Sequence, residues 1–305
     1  MIFLRTETGH EKFKEWSDVL SRENFVEHIT TKAEKLSDIF GYYELKDKIH
    51  CALTSCNQPH GKGYLVKTES GLETNIGHQC GKAIFGVEFE HRASEFDSFR
   101  ENEERKLSIQ NAKTKLDEWE NTLETLRTGD RPIEWAISMI ENIQNSNYAG
   151  RAAAMEIRSL SRTQDSNVTV DVKVKDKKYE ELLFKFNKHF RESGQALDKD
   201  LVGTIRNLHV LLTENHMKVL YSSAIANLKE IRECNENQVP SPVLLSLSQK
   251  ANSLQSQIDK VVSIYNDSLI FLTHKNLRVI KNKLNRMGNV TQKEKEQFNK
   301  FMAVL

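Results

Sequence analysis

The sequence predicts a mainly α fold, in which a helical bundle with long coiled-coil arms carries one small β module. Three observations support this prediction. The 305 residues are 38% hydrophobic and 29% charged with only four prolines, which is typical of extended helices with a large solvated surface. Apolar residues recur at alternating spacings of three and four in two long segments, whereas residues 44–86 depart from helical spacing.

The first 43 residues are predicted to form an N-terminal helical segment after a short strand at the start. Residues 10–21 and 23–43 place apolar side chains at helical spacing, as two amphipathic helices would. The apolar positions of the second helix are Phe25, Ile29, Ala33, Leu36 and Phe40. Gly41 is the expected helix stop.

Residues 44–90 are predicted to form the β module. Residues 44–51 have the composition of a strand. Residues 61–68 and 71–76 predict two further strands, joined by a turn at 69–71. A helical pattern then starts near Gln79 and continues to about Arg127.

Residues 91–165 are predicted to form a helical hairpin or coiled coil. Their apolar residues step by three and four alternately, as in a coiled-coil seam. The seam is Ile109, Ala112, Leu116, Trp119, Leu123 and Leu126. Asp130 and Pro132 then restart a helix, as an N-cap residue and a first-turn proline.

Residues 166–305 are predicted to form a helical domain with one edge strand and a long C-terminal helix. Valines alternate with polar residues over 167–175, which predicts the strand. Ser241 and Pro242 start a helix, and the sequence TQKE at 291–294 predicts a capping box. A second seam comprises Leu247, Ala251, Leu254, Ile258, Val261, Tyr265, Leu269 and Leu272. Since long seams often bury themselves against a second copy, a homodimer is expected.

The net charge of +1 produces no global field toward nucleic acid or membrane, so any such binding must come from a local patch. No apolar run approaches the roughly 18 residues that span a bilayer. Residues 1–16 lack the pattern of a secretory signal. The expectation is a cytoplasmic protein without a membrane partner, in which clustered cysteines are metal ligands and not disulfides.

Residues 51–86 contain three of the four cysteines and two of the ten histidines. Structural zinc takes four nitrogen or sulfur ligands, supplied by two short-spaced pairs. The predicted ligand set is Cys51, Cys56, His78 and Cys80, with Zn2+ in a structural role. His60 is the alternative fourth ligand and His50 a third option. Ordinary buried thiols are the competing interpretation, and Cys234 is expected to lie outside the site.

The order of these segments resembles a treble-clef zinc finger: CALTSC as the knuckle, GYLVKTESGLETNI as the hairpin and GHQCGKAIFG leading into a helix. In particular, NIGHQCGKAIFG resembles the IGxxCGKxxFG ending of zinc-binding proteins of phages and other mobile elements. The resemblance covers residues 51–86 and implies zinc and a local fold. The knuckle spacing is wider than usual, and His-x-Cys replaces the usual Cys-x-x-Cys, which leaves the fourth ligand open.

The sequence favours a protein that is not an enzyme. The His-Glu-x-x-His motif is absent, and Gln79 stands where a zinc deaminase needs its glutamate. A shell rich in thiolates also neutralises much of the metal's charge, which suits a structural ion better than a Lewis acid.

The expected function is that of a zinc-stabilised scaffold that binds a partner protein. By the resemblance, this would be a phage or mobile-element factor acting on a bacterial host or defence complex. The alternative is a DNA- or RNA-binding protein that uses the zinc module and a basic C-terminal helix. The candidate phosphate contacts of that helix are Lys275, Arg278, Lys281, Lys283 and Arg286.

Overall fold

The computed structural model describes residues 1–30, 34–194 and 197–305. The chain divides into two compact units, and each combines segments distant in sequence. The first unit contains Met1–Lys113 and Cys234–Asn252, and the second contains Thr114–Glu233 and Ser253–Leu305. The chain as a whole is mainly helical, with a small antiparallel sheet, as the sequence predicts.

The first unit is built on a five-stranded antiparallel sheet with the strand order β2-β1-β3-β4-β5. Its elements are β1 (Ile2–Thr6), β2 (Gly9–Phe13), α1 (Trp16–Leu20), β3 (Leu36–His50), β4 (Pro59–Thr68), β5 (Glu73–Ile76) and α2 (His78–Lys113). The β4–β5 hairpin and the strand preceding it confirm the prediction for residues 44–76. Helix α2 packs on the sheet through fully buried Phe89 and Phe96.

The prediction of two helices within the first 43 residues is wrong. Residues 9–13 form β2, and among the described residues of this segment only the five of α1 are helical. Leu36 and Phe40 lie in β3, Gly41 lies inside that strand, and Ala33 falls outside the described residues. The reason is tertiary pairing: Ile2 aligns with Tyr43, and Tyr42 aligns with Tyr64, so the strand's partners override the local helical spacing.

The second unit is a helical assembly with one two-stranded antiparallel sheet. Its elements are α3 (Leu116–Thr128), α4 (Ile133–Ile143), α5 (Ser146–Ala149), α6 (Arg151–Thr163), β6 (Asn167–Lys173), α7 (Lys177–Phe186), α8 (Lys188–Ser193), β7 (Leu197–Thr204), α9 (Met217–Glu233), α11 (His274–Arg286) and α12 (Gln292–Ala303). Helix α10 (Ser241–Phe271) contributes residues to both units. Strand β6 confirms the prediction for residues 167–175, while its partner β7 was not predicted.

Both predicted seams are buried faces of helices. All six residues of the first seam and all of the second except Leu269 are buried. A coiled coil is not confirmed: the first seam is divided between α2 and α3, and the helix after α10 starts anew at His274. Because these faces are already buried within a single chain, they supply no exposed seam for a second copy.

Local signals at helix starts are partly confirmed. Thr291 and Glu294 form the predicted capping box of α12. Pro132 is the N-cap residue of α4, so Asp130 does not cap that helix as predicted. None of the described helices combines the length and the apolar character that a bilayer span requires.

Candidate metal centre

Three cysteines from separate parts of the first unit converge on one point. Cys51 directly follows β3, Cys56 lies in the loop before β4, and Cys80 lies in the first turn of α2. Their Sγ atoms all lie within 4.8 Å of one another, and the Sγ atoms of Cys56 and Cys80 are 2.8 Å apart. This thiol cluster contains three of the four predicted ligands and could hold a metal ion.

The loop between β3 and β4 holds the first two thiols by backbone hydrogen bonds. Cys51 donates its N–H to the carbonyl of Gln58 at 3.0 Å, which closes the base of the loop. Cys56 and Asn57 both donate to the carbonyl of Leu53, at 2.8 and 3.0 Å. Asn57 has a φ of 49°, a left-handed conformation that asparagine tolerates better than most residues. The loop is therefore a tight turn that points both thiols to the same side.

Two glycines account for the CGKxxFG pattern that begins at Cys80. A Cβ on Gly81 would lie 2.3 Å from ring carbons of Phe89, so only glycine allows that ring to pack beside Cys80. Gly86 breaks α2 with φ 60° and ψ −137°, a conformation that side chains disfavour. The break turns the remainder of α2, so that Phe89 packs back over Gly81. The CGKxxFG pattern thus consists of Cys80 of the thiol cluster followed by two glycines that let Phe89 pack against the start of α2.

The thiols of Cys56 and Cys80 have different pKa values. Burial, the hydrogen bond to Cys56 and the nearby Cys51 raise the pKa of Cys80 to about 12. Burial acts to raise the pKa of Cys56 as well, but hydrogen bonds from Cys80, the Gln58 backbone and Cys51 outweigh it and lower that pKa. Cys56 consequently ionises more readily than Cys80, and a bound cation could displace the proton of Cys80.

None of the three candidate histidines joins the thiol cluster among the described residues. His60 has both ring nitrogens engaged: Nδ1 donates to the Gln58 carbonyl at 3.0 Å, and Nε2 accepts from the hydroxyl of Tyr43. The Nδ1 of His50 donates to the Asn57 carbonyl at 3.0 Å. The exposed ring of His78 packs near Tyr64 and Phe89, with centroid separations of 5.9 Å to each.

A buried polar network lies beside the cluster, and the sequence gives no signal for it. Tyr43 is fully buried, and burial raises the pKa of its phenol well above the ordinary value, so the hydroxyl stays protonated. Asn75 donates to the Tyr43 hydroxyl at 3.4 Å and to the His50 carbonyl at 2.8 Å. Together with the Tyr43–His60 hydrogen bond, these bonds join β3, β4 and β5.

Only part of the predicted basic face on α11 is available to a ligand. Lys283 forms an ion pair with Glu156 at 2.6 Å, and both side chains are largely buried. Arg286 is paired with Asp200. Lys275 and Arg278 are exposed, and Lys281 is half-buried. The structure therefore places two of the five predicted phosphate contacts in ion pairs, of which that of Lys283 is largely buried and that of Arg286 is exposed.

No family model, curated protein or solved structure matches this chain.

Proposed function

We propose that the first unit is stabilised by a structural zinc ion and that the protein acts without catalysis, as a scaffold that binds a partner protein. The observation that carries this proposal is the convergence of three thiols from the end of β3, the following loop and the start of α2. Cys80 is 24 residues beyond Cys56 in the chain, so a shared ion would crosslink the loop after β3 with the start of α2.

The donor set fits zinc. Three thiolates and one imidazole form a closed tetrahedral shell that is common in structural zinc sites. The order of loop, β4–β5 hairpin and helix supports a treble-clef arrangement. When bound, the ion would supply a fixed crosslink between the loop carrying Cys51 and Cys56 and the first turn of α2.

His78 is the fourth ligand that we propose. Its ring makes no hydrogen bond within the described part of the chain, so both nitrogens are available to a cation. His60, in contrast, already uses one nitrogen as a donor and the other as an acceptor. A metal bond to His60 would replace the hydrogen bond with buried Tyr43 if it formed through Nε2, or the bond to the Gln58 carbonyl if it formed through Nδ1.

The same donor set supports a structural role over a catalytic one. A hydrolytic zinc site keeps an open position with a carboxylate base beside it. The group of potential ligands contains thiols alone, without a carboxylate among the described residues. Binding of nucleic acid stays a prediction, and the ion pairs of Lys283 and Arg286 weaken its basis. The role in a phage or mobile element and the homodimer also stay predictions.

Elemental analysis of the protein, purified without added metal, tests the zinc site. We expect one zinc per chain in the wild type and in Cys234→Ser, the matched control at the cysteine outside the cluster, but none in Cys80→Ser. His78→Ala should lower zinc affinity at least about 100-fold, beyond the range of changes to residues that only support a ligand. His60→Ala should lower it far less. Wild-type protein without metal would refute the proposal.

Affinity purification from the native host tests the scaffold role. The expected result is a protein partner at a fixed ratio, retained at high salt and lost with Cys80→Ser. A nuclease-sensitive complex that dissociates as salt rises would instead identify nucleic acid as the ligand.

A further inference from the structure

A cavity of the first unit, separate from the thiol cluster, is lined by α1, the loop after α1, the end of β3 and β5. Its volume is about 350 Å³, in the range of pockets that hold small ligands. Its apolar walls are Trp16, Leu20, Phe25 and Ile49, none of which is fully buried. None of the four proposed zinc ligands lines it. The cavity is therefore a site to which the proposed function assigns no role.

The floor of the cavity is Asn75 of β5, the one buried residue of the lining, which is 4% exposed. Its amide nitrogen donates to the hydroxyl of Tyr43 and to the carbonyl of His50, so both of its hydrogens are used. The remaining polar atom is Oδ1, which accepts no hydrogen bond from a described residue. It is also not among the described polar atoms that are both unpartnered and sealed from solvent. The Oδ1 of Asn75 is therefore a hydrogen-bond acceptor that opens into the cavity.

The side chains at the opening of the cavity add further acceptors. Glu27, His28 and His50 are the exposed polar residues of the lining. The Nδ1 of His50 donates to the Asn57 carbonyl at 3.0 Å, which leaves Nε2 as the acceptor of the neutral ring. The ring of His28 can donate or accept, and the fixed donor of the lining is the indole N–H of Trp16. Fixed acceptors therefore outnumber fixed donors among the side chains that line the cavity.

The lining also favours a positive charge in the ligand. Among the described residues that line the cavity, Glu27 is the one carboxylate, and there is neither Lys nor Arg. Arg22, in the loop after α1, is engaged by Glu73 at 2.6 Å. The rings of Trp16 and Phe25 form a T-shaped pair with centroids 6.0 Å apart, and the faces of such rings attract cations. The carboxylate and the aromatic rings thus select the same sign of charge.

These features decide between the ligands that the cavity could hold. An anionic ligand would meet the Glu27 carboxylate with the same sign of charge. A metal ion would leave the apolar walls unused, and no group of potential metal ligands converges here among the described residues. A primary ammonium group supplies three N–H donors and a positive charge, and an apolar body fits the walls. We infer that the cavity binds a small primary amine, with its ammonium group at Asn75 Oδ1 and Glu27 and its apolar body against Trp16 and Phe25.

Isothermal titration calorimetry of the full chain at neutral pH tests this inference with three probes that share one apolar body. They are 2-phenylethylamine, its N,N,N-trimethyl derivative and the neutral 2-phenylethanol. We expect saturable binding of the amine at a single site and at least about tenfold weaker binding of the other two. The alcohol lacks the charge, and the trimethyl derivative offers no N–H to Asn75 Oδ1. The trimethyl probe thus tests the floor without a substitution at Asn75, which also bonds Tyr43.

Two variants place the amine in this cavity. Glu27→Gln should weaken amine binding about threefold to fivefold and leave alcohol binding unchanged. Leu20→Lys, which adds a positive charge to the wall, should weaken amine binding at least about tenfold. The matched control is Glu23→Gln, at an exposed position of the same loop outside the lining, which should bind as the wild type does. Since all three positions are exposed, the variants should keep the wild-type melting temperature. Equal affinity for the amine and either other probe, an equal loss in Glu23→Gln, or no saturable binding of the amine would overturn the inference.

Discussion

The two units are stabilised by contacts of different range along the chain. In the first unit, β3 pairs with β1 and β4, and its register joins residues as far apart as Ile2 and Tyr43. In the second, buried residues recur within single helices, as in α3, where Leu116, Trp119 and Leu123 share one face. Pairing residues that are far apart in the chain costs more conformational entropy than forming a helix from neighbouring residues. This cost arises before the favourable contacts form.

The thiol cluster lies in the first unit, where the structure depends on contacts between residues that are far apart in the chain. It connects the end of β3 and the following loop with α2, which are the parts of the first unit that no single helix or hairpin holds together. The second unit has no comparable thiol group among its described residues. With the proposed ion bound, the first unit would depend on a metal crosslink, whereas the second depends on packing and ion pairs within its helical assembly.

Removal of the crosslink should produce the largest effect. We expect Cys80→Ser, or an excess of a strong zinc chelator, to abolish cooperative unfolding of the first unit, since structural zinc contributes on the order of 10 kcal/mol in small zinc-dependent domains. The second unit should keep its protection. Hydrogen exchange monitored by mass spectrometry measures the two units separately, with Cys234→Ser as the matched control. Equal loss of protection in both units would refute the proposed difference.

Truncation of fully buried side chains sharpens the same comparison. Phe89→Ala in the first unit and Leu254→Ala in the second should each lower the free energy of unfolding by about 3 to 4 kcal/mol. Only Phe89→Ala should also weaken metal binding, because its ring packs on Gly81, the residue after Cys80. Denaturant unfolding combined with competitive zinc titration distinguishes the two. A similar loss of zinc affinity in Leu254→Ala would contradict the assignment of the crosslink to one unit.

The sequence predicts the second unit better than the first for the same physical reason. The seam residues Leu254 and Ile258 reveal their buried face through spacing within a single helix. The spacing of Phe25 and Ile29 is equally helical, yet both residues form isolated bridges to Glu73 and Leu53, which no local pattern encodes. Only tertiary pairing determines such positions.

At the candidate site, the three clustered thiols were predictable, whereas the fourth ligand and the side chains that support the cluster were not. Clustering in the sequence was sufficient to find Cys51, Cys56 and Cys80, because thiols are rare in this chain. Tyr43 and Asn75 belong to common residue types in unrelated strands, so their hydrogen bond beside the cluster has no sequence signal. The fold must be known before either residue is recognised.

A smaller effect is expected at the basic helix α11. Lys283→Ala should lower the free energy of unfolding of the second unit by about 2 kcal/mol, because it leaves the largely buried Glu156 without its partner. Lys275→Ala, at an exposed position of the same helix, should change stability by less than about 0.5 kcal/mol. Thermal unfolding of both variants measures the contrast. If neither variant changed stability but both weakened binding to DNA, α11 would be a nucleic-acid surface after all.

The smallest effect concerns pH and returns to the first unit. Glu103 on α2 accepts hydrogen bonds from His10 of β2 at 3.0 Å and from Lys106 at 2.6 Å. Burial acts to raise the pKa of Glu103, but these two bonds outweigh it and hold the pKa below the ordinary value of 4.5. The stability that Glu103 contributes is therefore complete above about pH 4.5 and is lost as the pH falls through its lower pKa in the folded protein.

Glu103→Gln should consequently lower the stability of the first unit by about 1 kcal/mol at neutral pH and have a smaller effect near about pH 3. Glu124→Gln is the matched control in the second unit, where the ion pair with Arg127 is half exposed and should contribute little at any pH. Denaturant unfolding between about pH 3 and about pH 7 gives both curves. A difference between wild type and Glu103→Gln that stayed constant over this range would mean that the carboxylate acts only through packing, because a group that contributes through its charge must lose that contribution on protonation.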